Sequence, residues 1–230
     1  MRLFDLFKTK SKEKTDEQRK AHTVDILRSQ NIPYIDWLPV FASKNDCKYR
    51  TAEEIIKRAI SSLISAQMAL EIYENNYDRD VVNTTYMNVL KAFEISVLTN
   101  NETKVFNLEV DEQEIINLIW KLEGYRVLLW VLGFANLDYP DKKISTEIAI
   151  SPILKYSDLS GFLENAKLRD MEEILDMANL VYHYDWACVD ARINGKPAPP
   201  KLDQRIVKER HAAFSWLLYD DDWDNPELNT

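Results

Sequence analysis

The chain reads as all-α: a single compact multi-helix domain of about six or seven helices. Three observations point there. Four glycines in 230 residues leave few of the sharp turns that all-β and doubly wound folds need. Runs of β-branched residues with alternating polarity are scarce. Long stretches after Thr51, Glu112 and Leu168 instead repeat apolar residues every three or four positions, as a helix with one buried face requires. A chain of this length buries roughly 70% of its unfolded surface as one domain.

The elements follow in order. Residues 1–15 form a flexible basic tail. Leu3, Phe4, Leu6 and Phe7 precede Lys8, Lys10, Lys12 and Lys14, a pattern that supports weak contact with an anionic membrane surface. The helical domain spans 16–219. Its first helix, Asp16 to Gln30, buries Ala21, Val24 and Leu27, and Pro33 and Pro39 make the next stretch an extended connection. Thr51 and Glu54 have capping-box spacing and open a strong helix through Ile55, Ala59, Leu63, Ala66 and Leu70. Residues 77–98 fit a helix weakened by valines, and 100–107 add one more turn.

The central helix runs from Glu112 to Gly133, the residue that stops it. Its first half shows one polar stripe, and from Val127 to Leu132 it is apolar all round, as an enclosed helix is. Two prolines make 136–152 a loop with a short β element near 144–150. A brief helix follows at 157–165. The second long helix, Leu168 to Asn194, leaves only a thin polar seam of Glu172, Asp176, Asn179, His183 and Asp190. Asp203 caps a last helix to Tyr219, and 220–230 form an acidic tail.

Composition excludes several functions. A net charge of −9 opposes a nucleic-acid surface. No apolar run reaches the roughly 20 residues of a transmembrane helix. Cys47 and Cys188 lack metal-type spacing, and two cysteines without a signal peptide fit free thiols in a reducing cytoplasm. No phosphate-cradling glycine loop and no glycine-flanked nucleophile is present, so no catalytic residue is assigned. Asp176, Asn179 and His183 share a helical side, but Asn is a poor ligand. No metal or other cofactor is expected.

Three ions stand on apolar faces where solvated residues do not belong: Glu123, Asp185 and Arg210, with Arg126 and Arg192 near them. An unpaired buried charge costs several kcal/mol, so these groups are expected to meet, walled by Trp120, Trp130, Trp186 and Trp216. Such a cluster serves either as a buried network fixing helix register or as a pocket in which a carboxylate acts as base or grips a cationic ligand.

Leu168-Arg169, Glu172 through Asp176, Trp186-Ala187, Asp190-Ala191-Arg192, Asn194-Gly195, Glu209-Arg210-His211, Trp216-Leu217 and Trp223-Asp224 resemble the bacterial domain-of-unknown-function family 4272. Ile32-Pro33, Leu38-Pro39, Arg50-Thr51 and Leu132-Gly133 fit the same pattern, and Asn225-Pro226-Glu227 departs from it. The resemblance implies a soluble, mainly helical bacterial protein and supplies no activity. It groups Asp190, Arg192, Glu209, Arg210 and His211. The functional expectation is a non-catalytic protein-interaction or accessory module. The alternative is an enzyme or small-ligand binder that uses the Glu, Asp, Arg and His cluster. The sequence leaves the partner and the oligomeric state open.

Overall fold

The computed structural model describes residues 13–48, 50–199, 201–219 and 221–229. Among them are nine helical segments and no strand. They are α1 (Asp16–Ser29), α2 (Ala52–Tyr73), α3 (79–92), α4 (Asn100–Asn107), α5 (Glu112–Val131), α6 (Thr146–Lys155), α7 (Leu159–Asn165), α8 (Met171–Ile193) and α9 (Gln204–Leu218). The apolar residues of the expected tail, Leu3 to Phe7, lie outside the described residues.

Capping residues set the starts. Thr15, Thr51, Thr99 and Asp111 each form a full capping box, with Gln18, Glu54, Glu102 and Glu114 returning the bond. Asp158, Asp170 and Asp203 cap α7, α8 and α9. Gly133 ends α5 as expected. Its φ of +80° is left-handed, its amide donates to Trp130 O, and the Phe134 amide donates to Leu129 O. A Cβ there would sit 2.7 Å from Lys167 O, so the position also lets the strand-like residues before α8 pass close.

Two expectations need correction. The sequence suggested six or seven helices with a β element near 144–150. That segment is instead the start of α6, capped by Ser145, whose hydroxyl accepts from the Ile148 amide. Pro152 lies inside α6, more than one turn from its start, where a proline ordinarily argues against helix. The valine-rich third segment is helical but irregular, with a π-helical stretch at Val82–Tyr86 between α-helical Arg79–Val81 and Met87–Ala92.

The packing runs as a chain of neighbours. α2 lies against α5, α5 against α9, α9 against α8, and α8 against α1. The middle of α5 is enclosed, every residue from Leu122 to Val131 being buried. Gly124 allows this closeness: a Cβ there would meet Trp223 at 3.2 Å and Ala213 at 3.4 Å. A smaller apolar cluster of Leu27, Tyr184, Ala187, Cys188 and Val207 joins α1, α8 and α9.

The acidic C-terminal segment carries one large anchor. Trp223 is 6% exposed, and its ring meets Trp216 edge-on at 5.5 Å. Lys121 Nζ donates to Trp223 O at 2.9 Å, and the Asn101 amide donates to Asp224 Oδ2 at 2.9 Å. Trp223→Ala is expected to lower unfolding free energy by about 3 kcal/mol in denaturant titration. A loss under about 1 kcal/mol would mean that this anchor contributes little to the domain.

Candidate functional site

α9 is the element about which the polar residues are arranged, because it lies between α5 and α8. Consecutive helical residues point about 100° apart. Arg210 therefore faces α5 while His211 faces α8.

The two faces make two separate contacts. Arg210 donates to Glu123 Oε2 through Nε at 3.2 Å and Nη2 at 3.1 Å, and through Nη1 to Asp138 O at 2.6 Å. The other Glu123 oxygen accepts from the Ile144 amide at 2.6 Å. Both side chains are sealed, at 1% and 0% exposure. Burial pulls the Arg210 guanidinium below its ordinary value, Glu123 opposes that pull, and the group remains a cation. On the other face His211 Nδ1 lies 2.8 Å from Asp185 Oδ2. The imidazole is held edge-on by Phe41 and tilted against Tyr182.

The expected single cluster is thus two pairs on a shared helix. Glu123 and Arg210 meet, whereas Asp185 takes His211 as its partner. Arg126 is buried but pairs with neither acid of the core; it bonds Asn136 O at 3.2 Å and the Asp138 carboxylate. Glu209 pairs with Lys121 at 3.4 Å. Asp190 accepts from Asn194 Nδ2 at 3.0 Å at the end of α8. Arg192 is solvent-exposed, so the expectation that it joins the core ions is corrected. Arg192 is the penultimate residue of α8, beside the exposed Ile193, and its long cation stays in water.

The tryptophans do not form a common wall either. Trp130 packs on Phe214, Trp216 on Trp223, and Trp120 lies beneath Lys143 and Arg205. Trp186 borders the smaller cluster.

One buried network had no signal in helical periodicity. Arg19 of α1 is 2% exposed, donates to Glu172 Oε2 at 2.8 Å and to Glu172 O at 3.2 Å, and pairs with Asp176. The α8 seam that reads as a solvent face is the docking surface for α1. Asn179 accepts from the Phe41 amide at 2.9 Å and donates to Thr23 Oγ1 at 2.7 Å. His183 Nδ1 bonds Asn179 O at 2.8 Å. A basic residue near the N-terminus facing an acidic pair on another helix was the available clue. Arg19 matches that description, but so do many surface residues. Among the described residues no group of three potential ligands could hold a metal ion.

Chemically, the Asp185–His211 pair has the form of an oriented base. Both of its members are closed to solvent, Asp185 at 4% exposure and His211 at 1%. Burial, with Asp185 and Asp203 adding to it, pushes the Cys188 thiol up to about 12, so it stays protonated and unreactive near neutral pH.

Two measurements follow. Arg210→Met leaves Glu123 buried without its cation, and Glu123→Gln leaves Arg210 without its anion. Each is expected to lower stability by about 3 kcal/mol in denaturant titration, and unchanged midpoints in both would remove the pair from the core's energetics. His183 supplies a pH dependence. Burial lowers its pKa from 6.5, with the Asn179 carbonyl opposing and Lys20 adding to the shift. The unfolded chain therefore takes up the proton first, and stability falls as pH drops below 6.5, by up to about 1.4 kcal/mol per pH unit, until the folded state also protonates. His183→Gln should flatten that part of the profile; an unaltered slope would assign it elsewhere.

No curated protein matches the chain, and no solved structure does. The family described as Domain of unknown function (DUF4272) matches residues 19–226, from Arg19 on α1 to the segment just beyond Trp223. The matched span takes in every helix that contributes to the two buried pairs. The chain belongs to the DUF4272 family.

Proposed function

We propose that the protein is a non-catalytic interaction or accessory module of the bacterial cytoplasm whose acidic surface binds another protein. The observation that carries this reading is the sealing of the polar core. Glu123, Asp185, Arg210 and His211 are all at most 4% exposed, so the groups best suited to chemistry serve the fold. A reaction centre needs at least one of them open to a concave site. The excess of acids, 38 against 29 bases, is carried mainly by the surface and favours a partner of opposite charge. Cys47 and Cys188 are both free thiols, which fits a reducing compartment.

The test joins two measurements. A thermal-shift screen against metals and metabolites reads small-ligand binding, since a ligand at a hundred times its Kd adds about 2.7 kcal/mol. Affinity purification from a bacterial lysate at low and high salt reads a protein partner. The expected outcome is a flat screen and a stoichiometric partner released by salt. A saturable metabolite shift that disappears in Asp185→Asn or Glu123→Gln variants would overturn the reading in favour of an enzyme or small-ligand binder.

A further inference from the structure

A groove of about 290 Å³ runs between α5 and α9, floored by Trp120 and Ile116. On this acidic protein its surroundings are basic. Lys143 Nζ lies 4.5 Å from the centre of the Trp120 ring, the Arg205 guanidinium lies 5.3 Å from it, and Lys208 lines the same groove. None of these three cations forms an ion pair among the described residues. The one acid on the groove wall, Glu209, already faces Lys121 at 3.4 Å.

The placement of the cations is unfavourable for the folded chain alone. Arg205 stands in the first turn of α9, where the helix dipole is positive. The one acid at that end, Asp203, is engaged as the cap, accepting from the Arg205 and Ile206 amides. Burial lowers the Lys143 ammonium below its ordinary value; Glu123 and Asp203 act against that, and Arg205 adds to the lowering. An anion over the indole relieves both cations at once.

We infer that this groove receives an acidic segment of a protein partner, with carboxylates on Lys143, Arg205 and Lys208 and an apolar side chain on Ile116 and Trp120. The assignment rests on the interaction reading above only in that the protein binds another protein. The groove is a basic contact on an otherwise acidic surface, and it takes an acidic segment rather than the basic face that the acidic surface favours. Length favours a chain over a single ion. Gln113 and Trp120 both line the groove and lie about 10 Å apart along α5, which spans about three residues of extended peptide. The side-chain amides of Gln113 and Asn117, bonded to each other at 3.0 Å, lie beside that path and can turn to peptide groups.

The experiment titrates the capped peptide Asp-Glu-Leu-Glu-Asp into the 15N-labelled full chain. The Trp120 indole N–H resonance is assigned by its loss in Trp120→Phe. The expected result is a saturable shift of that resonance, absent with the isosteric Asn-Gln-Leu-Gln-Asn peptide and absent in roughly 1 M salt, where the Debye length is about 3 Å. Arg205→Glu combined with Lys208→Glu should weaken the shift at least about tenfold while the rest of the spectrum keeps its dispersion. Both side chains are exposed, so the double variant retains the core. Equal shifts from the neutral peptide, or from inorganic phosphate at the same concentration, overturn the assignment. A silent titration alongside a partner that still co-purifies overturns the groove and leaves the interaction reading standing. A positive titration with no partner from the lysate overturns the assignment to a protein partner together with the interaction reading, and leaves only the affinity of the groove for acidic peptide.

Discussion

Arg210 needs partners on several sides at once, and the tertiary structure closes round that need. Its guanidinium takes one Glu123 oxygen and the Asp138 carbonyl, and the second Glu123 oxygen takes the Ile144 amide. Arg126 adds the Asn136 carbonyl and the Asp138 carboxylate. The residues between α5 and α6 are not helical at these points, and buried backbone polar groups there require partners. Charged side chains from α5 and α9 supply them. The pair thus pins a connection and fixes how α9 is rotated against α5. Its gain in free energy is small after desolvation, whereas breaking it is costly, so its contribution is to specify one arrangement.

The same device recurs with arginine and tryptophan at helix ends. Arg169 Nε donates to Trp130 O at 2.8 Å and stacks over the same indole at 4.6 Å. Arg50 Nε donates to Trp216 O at 2.8 Å and stacks over that ring at 4.1 Å. Both carbonyls lie in the last turns of their helices, where the dipole is negative and backbone acceptors lack helical partners. A planar guanidinium satisfies the carbonyl with its edge and the ring with its face. Arg58 stands over Trp223 at 5.3 Å and pairs with the buried Glu102, which ties α2, α4 and the C-terminal segment together.

The charged groups of the interior and those of the surface around Trp120 are arranged differently. The charged pairs Glu123–Arg210 and Asp185–His211 are matched and closed to solvent. Around Trp120 the cations Lys143, Arg205 and Lys208 are exposed, and the one acid on the groove wall, Glu209, faces Lys121. A site that holds its charges unmatched until a partner arrives can gain affinity and steering from them, which a sealed pair cannot.

Amino-acid order alone determined the helical class, the capping box at Thr51, the stop at Gly133 and the enclosure of α5, because these depend on neighbours within a turn or two. It also marked Glu123, Asp185 and Arg210 as misplaced for solvent, since a charge on an apolar stripe is visible in periodicity. Which charges meet was decided by tertiary structure. Arg210 and His211 differ by one position yet face different helices, so the partners depend on how α9 is placed between α5 and α8. The α8 seam of Glu172, Asp176, Asn179 and His183 has the periodicity of a wet face, and it is covered because Arg19 brings α1 onto it. Residues 144–150 lacked a helical signal strong enough to outweigh Pro152, and the bonds of Ile144 to Glu123 and of Ala149 O to Tyr125 hold that turn in place. Local periodicity reports which charges stand on an apolar stripe; only packing reports what meets them and which polar seams are covered.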